Sequence, residues 1–209
     1  ADEINRTSPR TQSALLEAMN DLQVTVDGKS HPLRTPFMVI ATQNPLEFTG
    51  TYPLPESQLD RFLMKIQVGY PSHDMERRIL AERKAHDPVE GLSPVLTAAE
   101  VDQLAERVKA VRVDPGIVDY MLALVEKTRQ DPALVAGVSP RGGIFLYRAA
   151  QALAYVEGRE YAVPDDVKTL AVPVLAHRVI ERSRRSLMDG RAGALGVVQK
   201  VLEQVPAPQ

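Results

Sequence analysis

The hydrophobic pattern of the chain changes at about residue 95. Before this point, apolar runs of strand length alternate with amphipathic stretches. After it, apolar residues recur every three to four positions, which predicts helices near 97–110, 115–130, 140–157 and 164–182. The stretch 87–95 contains two prolines and a glycine and indicates a linker. The pattern therefore predicts an α/β unit with a parallel sheet, followed by an all-α unit.

Local signals define the first elements of the α/β unit. Ser8-Pro9 has the residues of a helix N-cap and first turn, and the amphipathic stretch 10–20 follows it. Asp27-Gly28 joins two short runs, at 23–26 and 29–33, and predicts a β-hairpin. Further helices are expected at 56–62 and 72–86.

Two apolar runs, 37–42 and 62–70, are predicted to be strands. The first is continuously apolar, which is typical of a strand covered on both faces. It ends at Gln43-Asn44-Pro45, where polar amides follow the strand. Ligands of open α/β sheets bind at the carboxyl ends of such strands.

An acidic pair, Asp2-Glu3, opens the chain. If the strand ending in this pair neighbours the strand ending in Asn44, two carboxylates and an amide converge. Carboxylates for metal and water, with an amide to position the water, would form a hydrolysis site. The alternatives are a solvated acidic dipeptide for the pair and a turn-forming residue before proline for Asn44.

Two arginines have unusual surroundings. Arg61 ends a short helix just before a strand, and the sequence alone favours an ion pair with Asp60 or Glu56. Arg141 lies in the first turn of a helix, where a cation is unfavourable, and two glycines follow it. An arginine beside free backbone N–H groups can bind an anion, and the alternative is a side chain that extends to solvent.

Composition excludes several classes of protein. A net charge of −2 over 209 residues gives no electrostatic support for general nucleic-acid binding. The absence of cysteine excludes disulfides and fits a reducing cytoplasm. No apolar run reaches the roughly 20 residues that span a bilayer. The four histidines, His31, His73, His86 and His177, show no metal-ligand spacing, and His177-Arg178 is expected on a helix surface or in packing. The basic cluster Arg178, Arg182, Arg184 and Arg185 is expected on a solvated face or at a subunit contact rather than as a nucleic-acid patch.

Taken together, these motifs resemble the MoxR branch of the AAA+ ATPases over essentially the whole chain. The matching pieces are Ala1–Arg6, Gln12–Met19 with Gln23–Gly28, Val39–Pro45, Gly50–Glu56, Leu59–Phe62, Gly137–Arg141, Val163–Val167 and His177-Arg178. Their common order makes the resemblance far more specific than any single piece.

The resemblance implies a role for each candidate residue. Asp2 would support Mg²⁺ and Glu3 would activate water, as the Walker B pair does. Asn44 is similar to sensor 1, and Arg61 to the arginine finger that acts on ATP held by a neighbouring subunit. Arg141 is similar to sensor 2 on the lid, and its action within one subunit or across the interface stays open.

One motif of the family is missing. No GxxxxGK[ST] occurs, and Gly28-Lys29-Ser30 lacks the preceding glycine and falls in the predicted hairpin. We therefore expect a chain that begins in mid-motif, as the C-terminal portion of a larger enzyme. Residues 1–88 would be the back of the nucleotide-hydrolysing core and 95–209 the helical lid. Alone, they should neither bind ATP tightly nor hydrolyse it.

The resemblance also implies a function for the parent enzyme. It would use ATP and Mg²⁺ in a ring, expected to be hexameric, to remodel or assemble client proteins in the cytoplasm, with von Willebrand A-domain proteins as partners. One alternative is a transcriptional activator or helicase-like AAA+ member, because the hairpin after the Walker B helix occurs there too. Another is a non-catalytic lid and interaction module.

Overall fold

The computed structural model describes residues 1–44, 52–81, 88–182 and 193–208. Residues 1–81 are called the N-terminal unit and residues 88–208 the helical unit. The helices are α1 (Pro9–Asp21), α2 (Glu56–Leu59), α3 (His73–Ala81), α4 (Ala98–Lys109), α5 (Pro115–Gln130), α6 (Pro140–Val156), α7 (Pro164–Leu175) and α8 (Gly193–Gln204). The strands are β1 (Gln23–Val26), β2 (Lys29–Pro32), β3 (Leu134–Ala136) and β4 (Ile180–Glu181).

The start of the N-terminal unit follows its local sequence signals. Ser8 caps α1, because its hydroxyl accepts a hydrogen bond from the Thr11 backbone N–H, and proline occupies the first helical position. Strands β1 and β2 pair in antiparallel register across Asp27-Gly28, whose φ angles of 50° and 74° are both positive. A two-residue turn with this geometry matches the twist of a hairpin, so this prediction is confirmed.

The segment 37–42 runs parallel to the start of the chain. The Ala1 amino group donates to Ile40 O at 2.7 Å, Thr42 N donates to Ala1 O at 3.0 Å, and Ile4 N donates to Thr42 O at 3.0 Å. Its predicted coverage on both faces is wrong, since Met38 and Ile40 are 77% and 70% exposed. Among the described residues, this segment has only one hydrogen-bonded edge and is not a regular strand.

The strand predicted at 62–70 does not form in the described structure. Among the described residues its backbone bonds to α2 through Phe62 N and Leu59 O, at 3.1 Å, and to α7 through Lys65 N and Pro173 O, at 2.8 Å. Val68 and Tyr70 are more than nine-tenths exposed. A strand needs a partner ladder for its N–H and C=O groups, and the described ranges supply none here.

The helical unit contains the main hydrophobic core. Buried side chains of α5, α6, α7 and α8 pack together, among them Leu124, Leu146, Val167, Leu175 and Val201. In the described part of the N-terminal unit the buried apolar residues are Ile4, Ala18 and Leu54. The helical unit can therefore stabilise itself, whereas the N-terminal unit depends more on hydrogen bonds and on its contact with the helices.

Two features of the helical unit differ from the sequence prediction. Helix α7 ends at Leu175 rather than near residue 182, because Pro173 removes a backbone donor within its last turn. A 3-10 turn (Ala176–Arg178) follows, and β4 then pairs antiparallel with β3, so the unit is not entirely helical. Helix α8 has no counterpart among the predicted helices. In the other respects the predicted fold class, a partial α/β core followed by a helical lid, is confirmed.

Some predictions fall outside the described residues. These are the end of the helix expected at 72–86, together with Pro45, Gly50, Thr51, His86, Arg184 and Arg185. Within the described ranges, no helix combines the length and the apolar character required to cross a membrane.

Candidate functional site

The acidic pair lies beside the end of the 37–42 segment. Thr42 Oγ1 donates a hydrogen bond to Asp2 Oδ1 and accepts one from the Glu3 backbone N–H at 2.8 Å. A single hydroxyl thus ties both acidic residues to the neighbouring segment. Asn44 follows Thr42 by two residues and is half-buried. The two segments are therefore neighbours, which is the condition that the sequence set for Asp2, Glu3 and Asn44 to converge.

Glu3 has a backbone conformation that is uncommon for its residue type. Its φ of 46° and ψ of 53° lie in the left-handed region, and it precedes a 3-10 turn, Ile4–Arg6. Non-glycine residues in this region cluster at functional positions, where surrounding contacts hold them. Glu3 Oε2 lies 2.9 Å from Arg6 Nε in a partly exposed ion pair.

The buried side chain of Gln12 donates hydrogen bonds to this turn. Its side-chain amide donates to the carbonyl oxygens of Ile4 at 3.2 Å and Tyr52 at 3.0 Å, and more weakly to Thr7 O at 3.4 Å. Gln12 is only 2% exposed. It therefore joins the turn after the acidic pair to the segment at residue 52.

Arg61 lies in a second group of residues, where the N-terminal unit meets the helical unit. Its predicted ion pair with Asp60 or Glu56 is wrong, because the ion pairs of Asp60 in the described residues are with Arg141 and Arg178. The buried Nε of Arg61 has no hydrogen-bond partner among the described residues.

Arg141 reaches the same carboxylate from the first turn of α6. Its Nη1 lies 3.9 Å from Asp60 Oδ2, and its side chain is 47% exposed. Ser139 caps α6 and also donates its hydroxyl hydrogen toward the Asp60 carboxylate oxygens, at 3.1 and 3.2 Å. Asp60, the residue before Arg61, is therefore linked to the helix turn that carries Arg141.

Arg178 was expected on a solvated face, in packing or at a subunit contact, and within the chain it is packed rather than solvated. Its side chain is fully buried, with its guanidinium 4.9 Å from the centre of the Phe145 ring. Its Nε lies 3.2 Å from Asp60 Oδ1, in an orientation that gives an ion pair without a hydrogen bond. Burial lowers the pKa of Arg178 to about 10, with the Asp60 carboxylate opposing the change. Arg178 is therefore still a cation at neutral pH.

His177 completes this group as a neutral side chain. Its Nε2 lies 2.6 Å from Arg178 Nη1, and because a guanidinium can only donate, Nε2 accepts. Burial, and next the charge of Arg178, lower the pKa of His177 to about 4. Sequence reasoning missed this residue pair because a buried arginine and a surface arginine have the same local pattern.

Comparison with known proteins identifies the family. Residues 1–64 match the model of the ATPase family associated with various cellular activities (AAA), and residues 126–194 match the AAA lid domain. YeaC of Bacillus subtilis is 48% identical over the whole chain, and Chaperone MoxR1 of Mycobacterium tuberculosis is 39% identical. The chain belongs to the MoxR family of AAA+ ATPases. A crystal structure of a candidate ATPase from Cytophaga hutchinsonii covers the whole chain with a TM-score of 0.88 at 33% identity.

This MoxR-family chain spans only part of its relatives. It covers 64% of the length of YeaC, 57% of MoxR1 and 66% of the Cytophaga protein. One matched family model covers part of the N-terminal unit and the other covers part of the helical unit. The contacts of Asp60 join these two regions.

The residues near Asp2 fit Mg²⁺ only as an ion shared with phosphate. No cluster of three or more potential ligands among His, Cys, Asp and Glu occurs in the described residues. One oxygen of Asp2 accepts from Thr42, and Asp2 is exposed. Magnesium usually keeps several waters and binds through one or two carboxylates plus substrate phosphates, and a single exposed carboxylate suits that mode.

Proposed function

We propose that this MoxR-family chain supplies the water-activating half of an ATP hydrolysis site. Asp2 and Glu3 act as the Walker B pair and Asn44 as sensor 1. The observation that carries the proposal is the parallel pairing of residues 1–4 with 40–42, which sets the acidic pair beside the segment ending in Asn44. Parallel strands with polar carboxyl ends are where α/β proteins bind nucleotides.

The chain's own residues then have separate tasks. Glu3 orients the attacking water and takes its proton, while the Asn44 amide polarises the same water. The Glu3 carboxylate must first turn away from Arg6, which lies 2.9 Å from it. An exposed ion pair of this kind contributes at most about 1 kcal/mol, so this movement costs little.

The two arginines stabilise negative charge on the phosphoryl oxygens. Arg61 would act on nucleotide bound by a neighbouring subunit, and Arg141 on the nucleotide that the lid covers. Preorganised cations near the transferred group lower the barrier electrostatically. Support for Arg141 comes from its exposure and its loose contact with Asp60, because a guanidinium held at 3.9 Å can exchange its partner for phosphate.

Asp2 would hold Mg²⁺, through water and together with the nucleotide phosphates. The ion neutralises phosphate charge when bound. A phosphate-binding loop is also required, and no GxxxxGK[ST] occurs in these 209 residues. The 209-residue chain alone should therefore neither bind ATP tightly nor hydrolyse it.

For the whole protein we propose an ATP-driven, chaperone-like activity in the cytoplasm. Residues 1–88 would form the back of the nucleotide core and residues 95–209 the lid. A ring, expected to be a hexamer, would bring Arg61 to the neighbouring site and pass lid movements to a protein client. Von Willebrand A-domain proteins are the proposed partners. A relative's name, Chaperone MoxR1, supports the direction of this proposal.

The test compares ATP hydrolysis and nucleotide binding by the 209-residue chain and by the full gene product. Glu3→Gln in the full gene product should lower kcat at least 100-fold while ATP binding stays within about threefold. Glu126→Gln, on the exposed face of α5, is the matched control and should leave both unchanged. Full hydrolysis by the Glu3→Gln variant would overturn the proposal.

A further inference from the structure

We propose that Asp60 and Arg178 position Arg61, so that the helical unit sets where this arginine lies. The group Asp60, Ser139, His177 and Arg178 is called the latch below. The inference rests on the proposed role of Arg61 in hydrolysis. It assigns Asp60 and Arg178 as positioning residues that act through Arg61 rather than on nucleotide.

Arg178 holds the backbone on both sides of Arg61. Its guanidinium donates to the carbonyl oxygens of Asp60 at 3.3 Å, of Phe62, and of Leu63 at 3.3 Å. It also donates to Val174 O within its own part of the helical unit. A side chain more than 100 residues away in sequence thus fixes residues 60, 62 and 63.

The carboxylate of Asp60 strengthens the same contact. It faces Arg178 Nε at 3.2 Å and accepts from Ser139 Oγ, and its side chain is only 21% exposed. Ser139 is also the N-cap of α6. Removing one member of such a buried pair leaves the other charge uncompensated. The latch therefore resists separation of the two units at this point.

Arg61 itself has little else to hold it. Its buried Nε has no partner among the described residues, and no described carboxylate pairs with it. Its position must then come from the backbone that the latch holds. Arg141, 3.9 Å from Asp60, lies on the same carboxylate, so movement of α6 and placement of Arg61 share one contact.

The structure offers a conservative variant that separates charge from geometry. Arg178→Lys keeps a cation, but a lysine cannot donate from a planar fork to several carbonyl groups at once. Leu124→Ala is the matched control, because Leu124 is buried in the helical core and lies outside the latch. Both variants should lower stability, but only the first should release Arg61.

Amide hydrogen exchange on the 209-residue chain is the first measurement. In Arg178→Lys, exchange at Phe62 and Lys65 should rise at least tenfold more than exchange within α5. In Leu124→Ala, the amides of α5 should change most. If Arg178→Lys does not fold, Ser139→Ala removes one hydroxyl from the latch and should give a smaller rise at the same amides. A uniform rise in either latch variant would overturn the inference.

Distance measurement gives an independent readout. The chain has no cysteine, so spin labels can be placed at Ser13→Cys and Glu126→Cys, both exposed positions. Asp60→Asn and Arg178→Lys should broaden the distance distribution between the units, and Leu124→Ala should leave it narrow. An unchanged distribution in both latch variants would count against the latch.

Kinetics of the full gene product connect the latch to Arg61. Arg178→Lys should lower kcat at least tenfold with KM for ATP within about twofold, as Arg61→Ala should. If the latch variants show neither the exchange effect nor the distance effect, the latch is contradicted but the proposed function is not. If those effects appear but the full gene product does not hydrolyse ATP, the latch stands and the proposed function fails.

Discussion

Gly142 leaves the space that the buried side chain of Arg178 occupies. A Cβ atom at position 142 would lie 2.9 Å from Arg178 Cδ and 2.4 Å from Val138 Cγ1. Glycine lowers helix stability by about 1 kcal/mol relative to alanine. The structure thus gives a packing reason for a residue that the sequence shows only as a weak point in the first turn of α6.

Gly142→Ala should therefore destabilise the chain although alanine favours helices. Overpacking costs about 1–3 kcal/mol, and we expect a net loss of about 1–2 kcal/mol in the free energy of unfolding by denaturant titration. Gly143→Ala is the control, because its nearest contact, Val125 Cγ2, is at an ordinary 3.8 Å. That variant should gain up to about 1 kcal/mol. Equal effects of the two substitutions would contradict the packing argument.

His177 should make stability depend on pH in mildly acidic solution. Burial lowers its pKa to about 4, whereas the unfolded value is about 6.5. Between these values the unfolded chain binds a proton that the folded chain does not, so stability falls as the pH falls from 6.5 to 4. At 1.36 kcal/mol per pKa unit, the loss amounts to about 3 kcal/mol.

His177→Gln isolates this contribution, because glutamine stays neutral throughout the range. Carboxylates titrate in both proteins, so the quantity to measure is the difference between the two unfolding free energies at each pH. That difference should change by about 3 kcal/mol between pH 6.5 and 4. A difference that is constant over this window would show that His177 titrates normally in the folded chain.

Short-range chemistry was predictable from the sequence, and long-range pairing much less so. Ser8-Pro9 and Asp27-Gly28 each act on residues within three positions, and they form the expected cap and turn. The sequence also predicted that Asp2 lies beside the segment ending in Asn44. This prediction needs only the order of the elements, because the carboxyl ends of parallel strands lie at the same edge of a sheet.

The latch could not be derived in this way. Asp60 contacts Arg178 rather than Arg61, its neighbour, and the choice depends on which arginine the fold buries. The runs 37–42 and 62–70 have the composition of strands, but composition cannot supply the partner edge that a strand needs. Pro173 offered a usable signal for the early end of α7, since proline within a helix removes a donor.

Gln12 should control the stability of the turn after the acidic pair. Gln12→Met keeps the size of the side chain but removes the donor to the Tyr52 carbonyl and one of the donors to the Ile4 carbonyl, which Thr7 still contacts. An unsatisfied buried group costs about 1–3 kcal/mol. Exchange at the amides of Ile4 and Tyr52 should then rise about 10- to 100-fold, at 1.4 kcal/mol per factor of ten. Gln103→Met, at an exposed site on α4, should change neither amide.

Thr42 should position the acidic pair for hydrolysis. Its hydroxyl donates to Asp2 and accepts from the Glu3 N–H, so it holds the left-handed conformation of Glu3 from one side. Thr42→Val keeps the shape of the side chain and removes both hydrogen bonds. Because small displacements of a catalytic group cost up to about 100-fold in rate, kcat of the full gene product should fall about 10- to 100-fold.

Thr42→Ser retains the hydroxyl and should keep most of this activity, which separates loss of the hydrogen bonds from loss of the methyl group. ATP affinity should stay within about threefold in both variants, because the phosphate-binding loop is a different part of the site. Exchange at the Glu3 amide of the 209-residue chain should rise in Thr42→Val alone. Wild-type kcat in Thr42→Val would mean that Glu3 needs no support from Thr42, and the left-handed turn would then be held by the Gln12 contacts instead.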